Sequence, residues 1–239
     1  MDYIGKENLE LLEEMAPFYN RFLANKFKNL LIEYQPKSDN RILDFGAGIG
    51  SLALELRAIG LSNIDCLEID EKMHTMIKDR GFSAYSSIQE LPKSYSFVYM
   101  SNVLEHIEND QQVLEQIQDK ILDHNGTLVI YVPAFELLYS KLDVQVGHFR
   151  RYKKSTLVSV VERAGLTVRE CEYVDSLGFV ALGILKLFLG KRLNLSRNKK
   201  LVGVYDRYFF PLSRVLDHLG SRFIVGKNVL LVATKAQKT

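Results

Sequence analysis

Residues 43–50 read Leu-Asp-Phe-Gly-Ala-Gly-Ile-Gly, with three glycines at alternate positions between an apolar run and an amphipathic one. A glycine turn lacks Cβ atoms, so its backbone takes left-handed conformations and lets another molecule come close. The helix behind such a turn presents unpaired N–H groups to whatever lies there. A second signal is Glu68, at the end of the next apolar run. An acid at the tip of the second strand of such a unit can accept both ribose hydroxyls of a nucleoside. Turn and acid together predict a nucleoside site at the carboxyl edge of a sheet. The plainer alternative is a tight strand–helix turn with a solvent-facing Glu.

The surrounding pattern supports a sheet. Strands are expected over 41–45, 63–69, 82–85, 97–101 and 127–132, with helices over 49–59, 71–80 and 109–122 between them. Strands alternating with helices imply βαβ crossovers and a parallel sheet covered on both faces. Ahead of it, helical spacing runs from Leu9 to Tyr34, split by Pro17 and closed by Pro36. Behind it come a helix over 155–164 capped by Ser155, a strand over 166–174, a long insert over 175–227, and a last strand over 228–234. The division expected is a helical cover, 1–36, and one α/β domain, 37–239. A chain of 239 residues is long enough for such a core.

Composition narrows the partners. A formal net charge of +2 gives no general case for nucleic acid. Cys66 and Cys171 stand alone in apolar runs and read as buried thiols, with a disulfide between them as the alternative. The thiols and an acidic start without an apolar leader fit a cytoplasmic protein. The insert is unusual. From Ser176 to Tyr205 it holds no acid, while Lys186, Lys191, Arg192, Arg197, Lys199 and Lys200 are basic. It reads as a helical lid over an acceptor pocket, or as a peripheral contact with the inner face of a membrane through residues 176–205. No run is long enough to span a bilayer.

The nucleoside can be narrowed further. A dinucleotide fingerprint wants G-x-G-x-x-G/A, and here Ser51 stands where its last residue would be. Asp44 would repel a pyrophosphate but suits a cation. S-adenosylmethionine carries an ammonium and a sulfonium and no phosphate, so electrostatics favour it over NAD.

At these residues the chain resembles the class I S-adenosylmethionine-dependent methyltransferases. LDFGAGIG looks like their first motif and CLEIDEKM like their second. FVYMSNVLEHIEND resembles the segment after the fourth strand in the quinone-biosynthesis type. The GHFRRY segment, at 147–152, resembles a bacterial subgroup associated with glycan or cell-envelope biosynthesis. The resemblance implies a Rossmann-like seven-stranded sheet, mostly parallel with its last strand antiparallel, and helices on both faces. It places the methionine part of the donor on Asp44, Gly46 and Gly48, with Phe45, Ala47 and Gly50 also binding the donor. The ribose falls on Glu68 and the adenine beside Ile69, Ser87 and Ile88, although no Asp stands in that last stretch as in many relatives. Ser101, Asn102 and Val103 border the donor, and Tyr19 and Arg21 lie in the helical cover.

Methyl transfer to a hydroxyl needs alignment, exclusion of water and a base. His148 and His106 are the candidates, His148 preferred; each also has a structural reading, as a helix-entry or capping residue. Tyr139, Arg150, Arg151 and Tyr152 are acceptor-side candidates, and the two arginines could hold an anionic group or pair with local acids such as Asp143. The spacing of Cys, His and Asp suggests no metal set. Two rival functions stay open: an NAD-dependent oxidoreductase on a similar sheet, and a silent donor-binding partner.

Overall fold

A computed structural model describes residues 9–10, 13–37, 40–92, 94–189 and 199–235. Lys191, Arg192 and Arg197 of the insert, with the first eight residues and the last four, lie outside the described residues. The elements run α1 (Pro17–Tyr34), β1 (Ile42–Phe45), α2 (Ser51–Ala58), β2 (Ile64–Leu67), α3 (Glu71–Asp79), β3 (Ser83–Tyr85) and β4 (Tyr95–Ser101). They continue with α4 (Asp110–Gln116), β5 (Leu122–Pro133), α5 (Lys141–Val146), α6 (Lys154–Arg163), β6 (Leu166–Val174), α7 (Ser176–Leu189), α8 (Lys199–Val204), α9 (Phe210–His218) and β7 (Asn228–Lys235).

The described strands form one sheet in the order β3-β2-β1-β4-β5-β7-β6. Strands β1 to β5 pair in parallel, and β7 runs antiparallel to both β5 and β6. The expected fold class is the one found. Because successive residues of a strand face opposite sides, the apolar runs divide between two layers. Val98, Met100, Leu128, Ile130 and Val132 pack with Leu114 of α4 and Leu157 and Val161 of α6. Phe97, Tyr99, Val129 and Tyr131 pack with Phe27, Leu30 and Leu31 of α1, Leu56 of α2 and Ile77 of α3.

Some boundaries differ from expectation. The helix after β4 ends at Gln116 and loosens into a π turn over Ile117–Ile121. Strand β5 then starts at Leu122, ahead of the expected 127, and β4 starts at Tyr95, which pairs with Leu122 across a register shift. Helix α6 starts at Lys154, and Thr156 rather than Ser155 closes its entrance, its hydroxyl accepting the Lys153 N–H at 2.9 Å. Cys66 and Cys171 are both free thiols, Cys66 buried and Cys171 half-buried.

The insert is fastened by buried carboxylates. Asp217 of α9 accepts the N–H groups of Asp175 (2.8 Å) and Ser176 (3.1 Å), and Asp175 accepts that of Gly178 (3.0 Å). Asp175 thus caps α7 from its own N-cap position, and Asp217 and the Ser213 hydroxyl, which accepts the Leu177 N–H at 3.0 Å, complete the first turn from α9. Arg214 and Lys227 supply the counter-charges, at 2.7 Å from Asp217 and 3.3 Å from Asp175. Asp206 does the same for α1, accepting the N–H groups of Phe18 and Tyr19, each at 2.9 Å. Helical cover and insert are therefore locked to each other. Replacing Asp217 by Ala leaves Arg214 and two buried N–H groups without a partner, and should cost about 3 kcal/mol in a urea unfolding experiment. A loss under about 1 kcal/mol would mean the insert is held by apolar packing instead.

Candidate functional site

Asp44 is the third residue of β1, and the chain then turns through Gly46 (φ +79°), Gly48 (+56°) and Gly50 (+78°) before α2. A Cβ on Gly46 would lie 2.6 Å from the Val103 side chain, and one on Gly48 2.8 Å from Leu9. The turn is thus flanked at van der Waals distance by the loop after β4 and by the N-terminal segment. Glu68 ties it to the next loop: Oε2 accepts the Gly48 N–H at 2.8 Å and Oε1 the Asp70 N–H at 3.0 Å. Each carboxylate oxygen keeps a second acceptor position. Burial pushes the Glu68 carboxyl up, and the N–H groups of Asp70, Gly48 and Ile69 offset part of that rise.

Asp44 is buried, and its Oδ2 has no hydrogen-bond partner among the described residues. Burial pushes its carboxyl up to about 7, the nearby Tyr99 hydroxyl opposing the rise and Glu68 adding to it. A buried carboxylate without a partner is costly, and a cation placed beside it would remove the cost.

Around this cradle the structure gathers Asp44, Phe45, Gly46, Ala47, Gly48, Gly50, Glu68, Ser101, Asn102 and Val103 at the carboxyl ends of β1, β2 and β4. Asn102 takes a left-handed conformation (φ +55°), with its N–H on the Tyr131 carbonyl at 2.7 Å. Tyr19 joins them from α1, its hydroxyl beside Tyr131 and Asn102 and its ring 5.4 Å from that of Phe210. Arg21 is not brought there: its side chain is 68% exposed, and its nearest charge is Glu55 at 4.0 Å. The Ile69 side chain is exposed, Ser87 bonds Glu90, and Ile88 packs on the core. Sequence reading missed Leu9, Glu13 and Arg80. Glu13 bonds the Ser51 hydroxyl and receives two bonds from Arg80, at 2.9 and 3.2 Å, which lays the N-terminal segment across the turn. These contacts join residues far apart in sequence, and no local pattern marks them.

A second group of polar side chains gathers after β4 and β5. The GHFRRY segment folds back so that the Phe149 N–H meets the Glu105 carbonyl at 2.8 Å. His148 Nδ1 lies 2.8 Å from Asp143, and its Nε2 is 3.8 Å from Glu105. The His106 ring meets the His148 ring edge-on at 4.5 Å. Burial pushes His106 down to about 4 and the fully buried Glu105 up to about 8. Asp143 goes the other way: although burial raises it, bonds from His148 and Arg151 hold it below the usual carboxylate range. The arginines are engaged locally. Arg151 forks onto Asp143 at 2.8 and 3.1 Å, and Arg150 binds Asp110 at 2.7 Å. Tyr152 donates to Asp110 at 2.8 Å, and Tyr139 to the His148 carbonyl at 2.6 Å. The segment is braced from within. Phe135, Tyr173 and Phe179 add an aromatic wall nearby, Phe135 stacking on Tyr173 at 4.7 Å.

A family model described as a methyltransferase domain matches residues 10–171. A comparison with curated proteins finds no match. Among solved structures, the chain is similar to the plantazolicin methyltransferase BpumL in complex with SAH, at 14% identity and TM-score 0.61, covering 97% of this chain and 90% of that one. It is similar to an S-adenosylmethionine-dependent methyltransferase from Archaeoglobus fulgidus, at 19% identity and TM-score 0.58, covering 90% and 94%. The [4+2]-cyclase SpnF has the same fold, at 15% identity and TM-score 0.54, covering 88% and 80%. Such likenesses establish the fold, and chemistry has to be read from the site.

The raised Asp44 carboxyl has a measurable consequence in the ligand-free chain. A carboxyl lifted in the folded state stabilises the fold fully below its unfolded value of 3.8, and that contribution is lost as pH rises through about 7. Relative to wild type, Asp44→Asn should therefore gain about 2–3 kcal/mol between pH 5 and pH 8 in urea unfolding. A difference independent of pH would show that Asp44 ionises normally.

Proposed function

The chain belongs to the methyltransferase-domain family, an S-adenosylmethionine-dependent enzyme class, and on that premise we propose that it methylates an oxygen on a small-molecule, glycan or lipid-linked acceptor. The observation that carries the donor half is the buried Asp44 carboxylate, its Oδ2 without a partner among the described residues, beside a glycine turn bridged to Glu68. The residues fit the donor. Asp44 offers an acceptor to its ammonium, the turn lets its methionine part lie on bare backbone, and Glu68 has acceptor positions left for two ribose hydroxyls. Tyr19, Ser101, Asn102 and Val103 border the reacting end. Asp44 also disfavours the oxidoreductase reading, since it would repel a pyrophosphate at the turn.

When bound, S-adenosylmethionine supplies a methyl group on a cationic sulfur, ready for in-line displacement. The protein's part is to position and desolvate. His148, oriented through Nδ1 by Asp143, can hold the acceptor's proton at Nε2. Arg150, Arg151, Tyr139 and Tyr152 keep that imidazole and its loop in place, and their groups rim the acceptor side.

A lipid-linked acceptor is favoured by the insert. Val180, Leu219 and Ile224 are exposed and line one open groove, and Leu187 is also exposed. The absence of acids from Ser176 to Tyr205 complements anionic head groups. No helix among the described residues is long and apolar enough to cross a membrane, so the contact proposed is peripheral. Lys186 donates to the carbonyls of Leu137 and Tyr139 at 2.6 and 2.7 Å, joining α7 to the acceptor-side loop.

Two experiments test these halves separately. Glu68→Ala should weaken S-adenosylhomocysteine binding about tenfold to a hundredfold by calorimetry, through lost charged hydrogen bonds, while the circular dichroism spectrum stays that of wild type. Unchanged affinity removes the ribose role. The protein should co-sediment with vesicles containing phosphatidylglycerol but not with pure phosphatidylcholine, and Leu219→Glu should reduce the bound fraction. Equal sedimentation with both vesicle types, or none with either, removes the membrane contact.

A further inference from the structure

Glu105 is a fully buried charge-bearing group outside the donor cradle. It is 0% exposed, and neither carboxylate oxygen has a hydrogen-bond partner among the described residues. His148 Nε2 stands 3.8 Å from Oε1, too far for a hydrogen bond. The His106 ring completes the group, and one ligand atom from each of Glu105, His106 and His148 lies within 4.8 Å of the other two.

We infer that Glu105, His106 and His148 form a binding site for one divalent transition-metal ion of the zinc–cobalt class on the acceptor side of the sheet. The donor set decides the class: two imidazoles and one carboxylate suit borderline ions, whereas magnesium and calcium prefer all-oxygen shells. Metal–ligand bonds of about 2.0–2.2 Å put ligand atoms about 3–4 Å apart, so small side-chain rotations close the site. Its supports are already built. Asp143 takes the Nδ1 side of His148 at 2.8 Å, which turns Nε2 toward Glu105, and Arg151 anchors Asp143 in turn. The carbonyls of Val146 and Gly147 hold the His106 ring. A carboxylate behind a ligating imidazole fixes its tautomer and strengthens it as a donor. Three protein ligands leave coordination positions for water or an acceptor oxygen. In the loaded chain Nε2 is a ligand. His148 would then no longer serve as the base: the ion would acidify a bound acceptor hydroxyl, whose O–H electron pair would stay on oxygen while the proton passed to water. That last consequence rests on the acceptor reading above; the metal site does not.

Untagged protein freed of metal by a chelator is titrated with Co2+, read by its visible absorbance, and with Zn2+ by calorimetry. The expected result is one ion per chain, with Glu105→Gln and His106→Ala each weakening binding about tenfold or more. S-adenosylhomocysteine affinity should stay within about twofold of wild type in both variants, which separates this site from the donor site. Anomalous scattering from cobalt-soaked wild-type crystals, which needs no variant, should give a peak between the three side chains. No binding by wild type, equal binding by the variants, or a peak only elsewhere would each overturn the inference.

Discussion

The hydrogen bond from the Gly48 N–H to the Glu68 carboxylate is the contact on which the proposed donor site depends. It fastens a left-handed glycine turn at the end of one strand to the tip of its neighbour, and so fixes how far apart the two halves of a nucleoside cradle stand. Side chains could not occupy that turn: at Gly46 a Cβ would collide with Val103, and at Gly48 with Leu9. Parallel pairing of β1 with β2 and β4 brings Asp44, Glu68 and Ser101 to one edge without any further device.

Buried carboxylates do three different jobs in this molecule. Asp217, Asp175 and Asp206 are spent on helix N-termini and cations, and hold the insert and cover as one unit. Asp143 is saturated by His148 and Arg151 and stays ionised. Asp44 and Glu105 are buried with oxygens unmet, and burial raises both to about 7 and about 8. The fold bears the cost of desolvating them, and ligands that bring positive charge would recover it. In the proposed reading these two acids mark the donor and acceptor sides of the same sheet edge.

Most of this architecture was legible in the sequence because the signals are local. Apolar runs alternating with helical spacing predicted the sheet, and the glycine turn with Glu68 predicted the cradle. Reading failed where contacts are distant. The β4 and β5 starts moved because Tyr95 and Leu122 pair across a shift in register. For Arg150 and Arg151 the sequence left anion binding or pairing with local acids such as Asp143 open; Arg151 does pair with Asp143, whereas Arg150 takes Asp110, which only the fold brings near. The Glu105–His106–His148 group went unseen for the same reason: two members are adjacent, but the third arrives on another loop with no ligand spacing to announce it. The insert, read as either lid or interfacial helix, is tied to the loop after β5 through Lys186 and keeps an exposed apolar groove.

The most direct measurement is a crystal structure of the protein with S-adenosylhomocysteine bound. The expected density places both ribose hydroxyls on Glu68 and the amino group at Oδ2 of Asp44, with the sulfur facing the loop after β4. A nucleoside seated away from the glycine turn, or Asp44 still unpaired with the ligand present, would contradict the assignment of the cradle and everything built on it.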